Sequence, residues 1–455
     1  MNNIILLLLT LSISVAFAKE NDLTHRPKSF AIDGGQAVFV DFQEATYSLT
    51  YEIKEQRAEV LAVFVMDVIE EGYPVFDLIE TPTSVKVDGV EVGSRVVSTT
   101  SRETTVRVAG KTLPPGRYVF QVTAPLKQLV KYTPTGVKSA FWVTDLEDRF
   151  YLERYIPSNF EFDRFKMTFV VEFKGATAEQ LIFANGKVSK RKANKVSIEY
   201  PEHFTLNSLY FHTTPVSTVD VLTYAFPSVD GRSVPVTIYM ERKSGSESVL
   251  LDWKKNSHTI LKELENDYGV FPHESVTIYN ADLSSMGLGG MEYAGATVTN
   301  KGSLGHELFH SYFARGVTPA NGNAGWIDEA LASWRDNGYN RSTSLSGSTG
   351  MASHPYYTRK TDTSAYGFGA KFMAYLDGKL AGKGGLKPFL NKLLEKKLFE
   401  PIFTEDFISE MELFYSESLH AEFKKFVYSG KKLTPSKALP TAHRKLGLKE
   451  MEQIL

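Results

Sequence analysis

Positions 306 to 310 read His-Glu-Leu-Phe-His, and Glu329 follows His310 after eighteen intervening residues. Side chains four apart share one face of an α-helix, so His306 and His310 can turn both imidazoles to one point while Glu307, one residue round, stays outside it. Two imidazoles and a carboxylate form the donor set of a zinc ion that keeps its fourth position for water. The pattern therefore demands two helices, joined by a turn from Gly316 to Gly325, with the second starting near Trp326 and carrying Glu329 in its first turn. An exposed amphipathic helix with surface histidines would show the same five letters. Leu304, Leu308, Phe309 and Tyr312 argue against that by giving the first segment an apolar flank, and Trp326, Ile327, Ala330, Leu331 and Trp334 do the same for the second. Both segments read as buried scaffold, with Ser303 as the N-cap of the first.

Composition narrows the remaining choices. The chain has no cysteine, which excludes disulfides, thiol catalysis, cysteine zinc ligands and a lipid-modified cysteine. At 455 residues and 42% hydrophobic content it can bury sizeable cores and forms two or more domains. Net charge is -2, and no run of Lys and Arg is interleaved with aromatics, so nucleic acid is not an expected partner. The most basic stretch, KVSKRKANK at 187 to 195, reads as a solvated hairpin turn following Ala184-Asn185-Gly186. Met1 to Ala18 holds an apolar run from Ile4 that ends in Ala16-Phe17-Ala18, the pattern of a signal peptide cut before Lys19. The alternative is an N-terminal anchor, for which this run is short. The expected product is exported, periplasmic or extracellular, monomeric, and not inserted in a membrane after cleavage.

Between residue 28 and about 242 the chain is rich in strand signals. Gln36 to Phe42, Glu59 to Val68, Thr104 to Val108, Arg117 to Val122, Lys166 to Phe173 and Asn207 to His212 show alternation or β-branched density between Gly, Pro and Asn turns. A large antiparallel β domain is expected over 19–242, and ERKSGSES at 241 to 248 reads as the linker. A catalytic unit over 243–431 and a tail over 432–455 follow. Arg341 to Ser353 is a second Ser/Gly-rich stretch, placed to border the cleft.

The segments HELFHSYFARGVTP and WIDEALASW resemble the aminopeptidase N and leukotriene hydrolase family of zinc peptidases, in which a HELxHQWFGNxVTP-like run precedes WLNEGFASY. Upstream, GLGGMEYAGATVT at 287 to 299 is similar to the family's GAMEN stretch, and AYGFGAKFMAYL at 365 to 376 to its YEKGAxxLxxL stretch. Glycyl aminopeptidases have a related zinc site, but their third ligand usually lies further along. The resemblance implies an α+β multidomain chain, with a thermolysin-like, mainly α catalytic domain behind the β domain and without the long C-terminal helical domain of many relatives.

The resemblance also implies one zinc ion on His306, His310 and Glu329, a peptide substrate, Glu307 as general base and Tyr366 as donor to the oxyanion. Glu292 matches the amine-binding glutamate, with Gly289, Gly290 and Met291 before it lining the same groove. Glu147, in TDLEDRFYLERYIP at 144 to 157, matches a second substrate anchor, although Asp145 stands where Gln is usual and one residue is inserted before Pro157. Tyr293 departs from the family's Asn. The spacing from Glu329 to Tyr366 is shorter than in relatives, and Tyr356 and Tyr357 compete for the tyrosine role. An aminopeptidase is the leading expectation. A zinc endopeptidase or other hydrolase on the same scaffold, or a binding protein with a vestigial zinc site, remains the alternative.

Overall fold

The computed structural model describes residues 26–97, 106–143, 151–160, 163–192, 194–283, 289–354, 361–428 and 454–455. Glu147, Tyr356, Tyr357 and the signal segment lie outside them.

Alternation builds the N-terminal region. In the strand Asp41–Glu52 the residues Ala45, Tyr47, Leu49 and Tyr51 are buried, and in Arg57–Val68 so are Ala58, Val60, Ala62, Phe64 and Met66. The two pair antiparallel with Tyr47 opposite Ala62, so one register puts every apolar side chain on the same face. They form the centre of an eight-stranded sheet that also holds Lys166–Lys174, Lys187–Lys192, Lys195–Glu199, Gly116–Pro125, Ser84–Val87 and Val90–Glu91. A five-stranded and a four-stranded sheet complete the region. Most pairings are antiparallel as expected, but Lys166–Lys174 lies parallel to Asp41–Glu52, and Gly35–Val38 parallel to Tyr73–Asp77.

Two local expectations need correction. Asn207 sits in a 3-10 turn, Leu206–Ser208, closed by the Thr205 and Ser208 side chains, and the strand begins only at Phe211. The basic stretch at 187 to 195 is mainly strand, because Lys187–Lys192 pairs with Lys195–Glu199 and forms the outer edge of the large sheet. Lysines on an edge strand discourage pairing with a second chain, which accounts for their density there.

From Val219 onward a second core forms around a five-stranded sheet ordered Val219–Pro227, Ser233–Glu241, Val276–Asn280, Ala296–Thr299, Gly290–Tyr293. Its first two strands precede the expected linker. The helix Ser246–Tyr268 turns Leu250, Trp253, Leu261 and Leu264 inward, a spacing that keeps one apolar face on the sheet. It ends where Gly269, at φ +83°, returns its N–H to the Glu265 carbonyl. Helices Leu304–Phe309, Trp326–Asp336, Ala370–Lys379, Leu386–Lys397, Thr404–Tyr415 and His420–Phe426 fill the rest of this unit. Among the described residues no helix is long and apolar enough to cross a membrane.

The edge strand Gly290–Tyr293 joins the two regions because side chains alternate across it. Met291 and Tyr293 enter the N-terminal core, and the Tyr293 hydroxyl accepts the Val143 N–H at 3.2 Å. Glu292 faces the other way, toward Arg315. Gly290 lies so close to the next strand that a Cβ there would sit 2.7 Å from Thr299 Oγ1 and from the Val298 carbonyl.

Candidate metal centre

His306 and Glu307 lie on the helix Leu304–Phe309, and His310 is its C-cap, still in the last turn through its N–H to the His306 carbonyl at 3.4 Å. The helix starts after Ser303 as expected, but Ser303 makes no side-chain cap; its N–H donates to Asn300 Oδ1 at 3.0 Å instead. Glu329 falls in the first turn of Trp326–Asp336. That helix packs against the first through Trp326, Leu331 and Trp334, all buried in the second core with Leu304, Leu308 and Phe309.

The three side chains converge. His306 Nε2 is 3.1 Å from Glu329 Oε2, His310 Nε2 is 3.5 Å from the same oxygen, and one ligand atom from each residue lies within 4.8 Å of the others. His310 and Glu329 are wholly buried and His306 nearly so. The other ring nitrogens fix the tautomers. His306 Nδ1 is 2.7 Å from Asp336 Oδ2 and His310 Nδ1 is 3.1 Å from the Phe313 carbonyl, and because both oxygens only accept, each Nδ1 carries the proton. Each Nε2 thereby faces Glu329 Oε2, where it can carry a second proton toward that oxygen or give its lone pair to a metal ion. Two imidazole nitrogens and a carboxylate, buried and within reach of one point, stay together only with a cation between them, either protons or a metal ion, and as a donor set they fit zinc. His310 Nε2 has no hydrogen-bond partner among the described residues, in keeping with that fit.

Electrostatics point the same way. Burial alone would lower the His306 pKa, but hydrogen bonds to Asp336 and Glu329 outweigh it and hold the imidazole well above its ordinary value. Burial likewise opposes protonation of His310, while the charges of Glu292 and Glu329 push its pKa up to about 9. Without a metal the pocket collects protons, which is how an anionic metal site behaves.

Asp336 escaped the sequence reading. It lies seven residues after Glu329, two turns along the same helix, which turns both carboxylates to the His306 ring. Arg335 Nη1 donates to its other oxygen at 3.1 Å. The signal that would have found it is this helical repeat from a ligand, combined with the need of a metal-bound imidazole for an acceptor behind it.

Glu307 is buried beside the ligands. Tyr366 belongs to Ala365–Gly369, a widened π-type turn that leads into the helix Ala370–Lys379, and its ring lies parallel to that of His306 with centroids 6.3 Å apart. Such turns recur at functional sites because they redirect a side chain without ending the helix. Asp362 opens this turn by accepting the Ser364 N–H at 2.9 Å. Gly369 closes it against the second metal helix, where a Cβ would stand 2.7 Å from that of Ala330.

Glu292 is held by a residue the motifs did not single out. Arg315 Nη2 donates to Glu292 Oε1 at 3.0 Å and to the Glu292 carbonyl at 3.3 Å. Gly289 and Gly290 lie at the start of the same edge, while the Met291 side chain is packed into the N-terminal core.

No family profile and no curated protein matches the sequence. Solved structures do match in three dimensions. The M1 zinc metallopeptidase from Deinococcus radiodurans is 16% identical over 87% of this chain and 96% of its own, with a TM-score of 0.57. A two-domain M1 zinc metallopeptidase mutant bound to L-arginine gives 17% identity, 88% and 96% coverage and 0.59. Native yeast LTA4 hydrolase gives 13% identity, 89% and 70% coverage and 0.62. The β-rich region, the five-stranded sheet and the helices that carry His306, His310 and Glu329 together form the fold of the M1 zinc metallopeptidases and LTA4 hydrolase.

Proposed function

We propose that this chain is an exported zinc-dependent metallopeptidase, and specifically an aminopeptidase that removes first residues from peptides. The observation that carries the reading is the convergence of His306, His310 and Glu329 on one buried point, with each Nδ1 proton committed to a second acceptor. Zinc, when bound there, supplies Lewis acidity toward water and a carbonyl.

The chain's own residues supply the remainder. Glu307, next to the ligands but not among them, takes a proton from the attacking water and returns it to the leaving amine, work typically worth about a hundred- to ten-thousandfold. The Tyr366 hydroxyl donates to the oxygen that gains negative charge, a contribution of about 3 kcal/mol for a single donor. Asp336 and the Phe313 carbonyl hold the imidazoles in the ligating tautomer. Glu292 receives the substrate's terminal ammonium at the end of the edge strand, and Gly289 and Gly290 leave room for its backbone. Glu147 contributes a second anchor from the β-rich region.

A matched pair of free and N-acetylated peptides tests the reading. An aminopeptidase cleaves only the free one at its first bond, whereas internal cleavage of both identifies an endopeptidase. Export rests on the apolar run ending at Ala18, and mass spectrometry of the mature protein checks it by finding Lys19 first. An intact Met1 contradicts it.

A further inference from the structure

We propose that Arg315, paired with Glu292 beside the metal centre, makes this a site for an acidic first residue, so that peptides beginning with Asp or Glu are the preferred substrate class. This rests on the aminopeptidase reading and deepens it.

The local chain is built to place that guanidinium. Ala314 adopts φ +144°, where glycine is at ease and alanine is strained, and the next N–H closes onto the His310 carbonyl at 2.9 Å. Arg315 thus leaves the loop directly behind a metal ligand and crosses to the edge strand. There it holds both the carboxylate and the carbonyl of Glu292 through Nη2. The two charges lie close to the metal centre, since the Arg315 backbone is tied to the His310 carbonyl and its guanidinium to Glu292.

Two consequences follow for a substrate. First, Glu292 does not present a bare anion, because a guanidinium 3.0 Å away already balances its charge. An ammonium alone therefore meets a neutral pair, with the arginine the more accessible member at 7% exposure against 1%. Second, the guanidinium has five N–H donors, and among the described residues the acceptors it meets are all on Nη2. Nε is buried and has no acceptor among the described residues, although buried donors are nearly always satisfied.

A first residue that carries both an ammonium and a nearby carboxylate answers both conditions. Its ammonium approaches Glu292 while its side-chain carboxylate accepts from Arg315, giving four alternating charges in place of two. Asn and Gln offer the same shape without the charge. Lys and Arg bring a second cation against the guanidinium.

The test uses the zinc-loaded full chain and aminoacyl reporter amides of Asp, Glu, Asn, Gln, Ala and Lys. Calorimetric binding of L-aspartate and L-asparagine gives a readout independent of turnover. Charge-assisted recognition predicts kcat/KM for Asp and Glu about tenfold or more above Asn and Gln, with tighter binding of L-aspartate than of L-asparagine. Arg315→Gln should bring the acid-to-amide ratio close to one. Because that change leaves a buried carboxylate without its partner, Arg315→Lys provides a second arm that keeps the ion pair but removes the Nε–H, and it should lower the ratio with zinc content and melting temperature retained. A ratio near one in the parent, or an unchanged ratio in both variants, overturns the proposal. Reporters cleaved without acid preference refute the role of Arg315 alone. If no reporter is cleaved while blocked peptides are cut internally, the aminopeptidase reading falls and takes this proposal with it.

Discussion

Asp336→Ala should weaken zinc binding by ten- to a hundredfold without displacing any ligand. The Asp336 carboxylate stands 2.7 Å from His306 Nδ1, fixes which nitrogen carries the proton, and makes Nε2 a stronger donor. Its side chain is 17% exposed, so solvent screens it only partly. Loss of a carboxylate behind a ligating histidine costs about ten- to a hundredfold in metal affinity, or about 1.4 to 2.8 kcal/mol at 1.4 kcal/mol per decade. Asp336→Asn separates charge from geometry, because its amide oxygen still accepts the Nδ1 proton; its loss should be roughly tenfold or less. Competition with a chromophoric chelator at near-neutral pH measures both dissociation constants. An Ala variant with the parent's affinity would refute the claim that Asp336 orients His306, and equal losses in both variants would assign the effect to charge alone.

Glu307→Gln should keep zinc yet lose about a hundred- to ten-thousandfold in kcat, since the amide preserves size and removes the base; retained turnover would move the proton transfer elsewhere. Tyr366→Phe should keep zinc and lower kcat with little change in KM, by roughly a hundredfold if it is a single oxyanion donor. Gly369→Ala should destabilise by about 1 to 3 kcal/mol, because the added carbon meets the Ala330 methyl, which is fixed to its helix and has no rotamer to turn aside, and thermal melting reads it directly. Stability should also fall in acid. Burial lowers the His212 and His273 pKa values to about 3 and that of His203 to about 4, so the native state binds fewer protons than the unfolded chain below the ordinary histidine value of about 6.5. That stability is whole above pH 6.5 and is lost as pH falls toward the folded values; a urea midpoint that stays flat from pH 7 to pH 5 contradicts it.

The cluster of His306, His310 and Glu329 was legible because a helix face and a single turn fix its spacing. His306, His310 and Glu329 need no knowledge of the rest of the chain. Strands with strict alternation, such as Arg57–Val68, were legible for the same reason. What escaped depends on long-range placement. Asp336 is one acid among 53 acidic residues until its helix face is known. Arg315 gains its partner only through the loop path at Ala314 and the position of the edge strand, which no local pattern encodes. The parallel pairing of Lys166–Lys174 with Asp41–Glu52 joins segments more than a hundred residues apart, and alternation is identical for parallel and antiparallel neighbours. Tyr293 departs from the family's Asn, and the structure gives that residue work in the N-terminal core through Val143.

Metal analysis of the purified chain tests the central claim most directly. One zinc ion per chain in the parent, lost when His310 is changed to Ala and retained in Glu307→Gln, is the result this account predicts. No stoichiometric metal in the parent with zinc supplied, or equal uptake after His310→Ala, would contradict it.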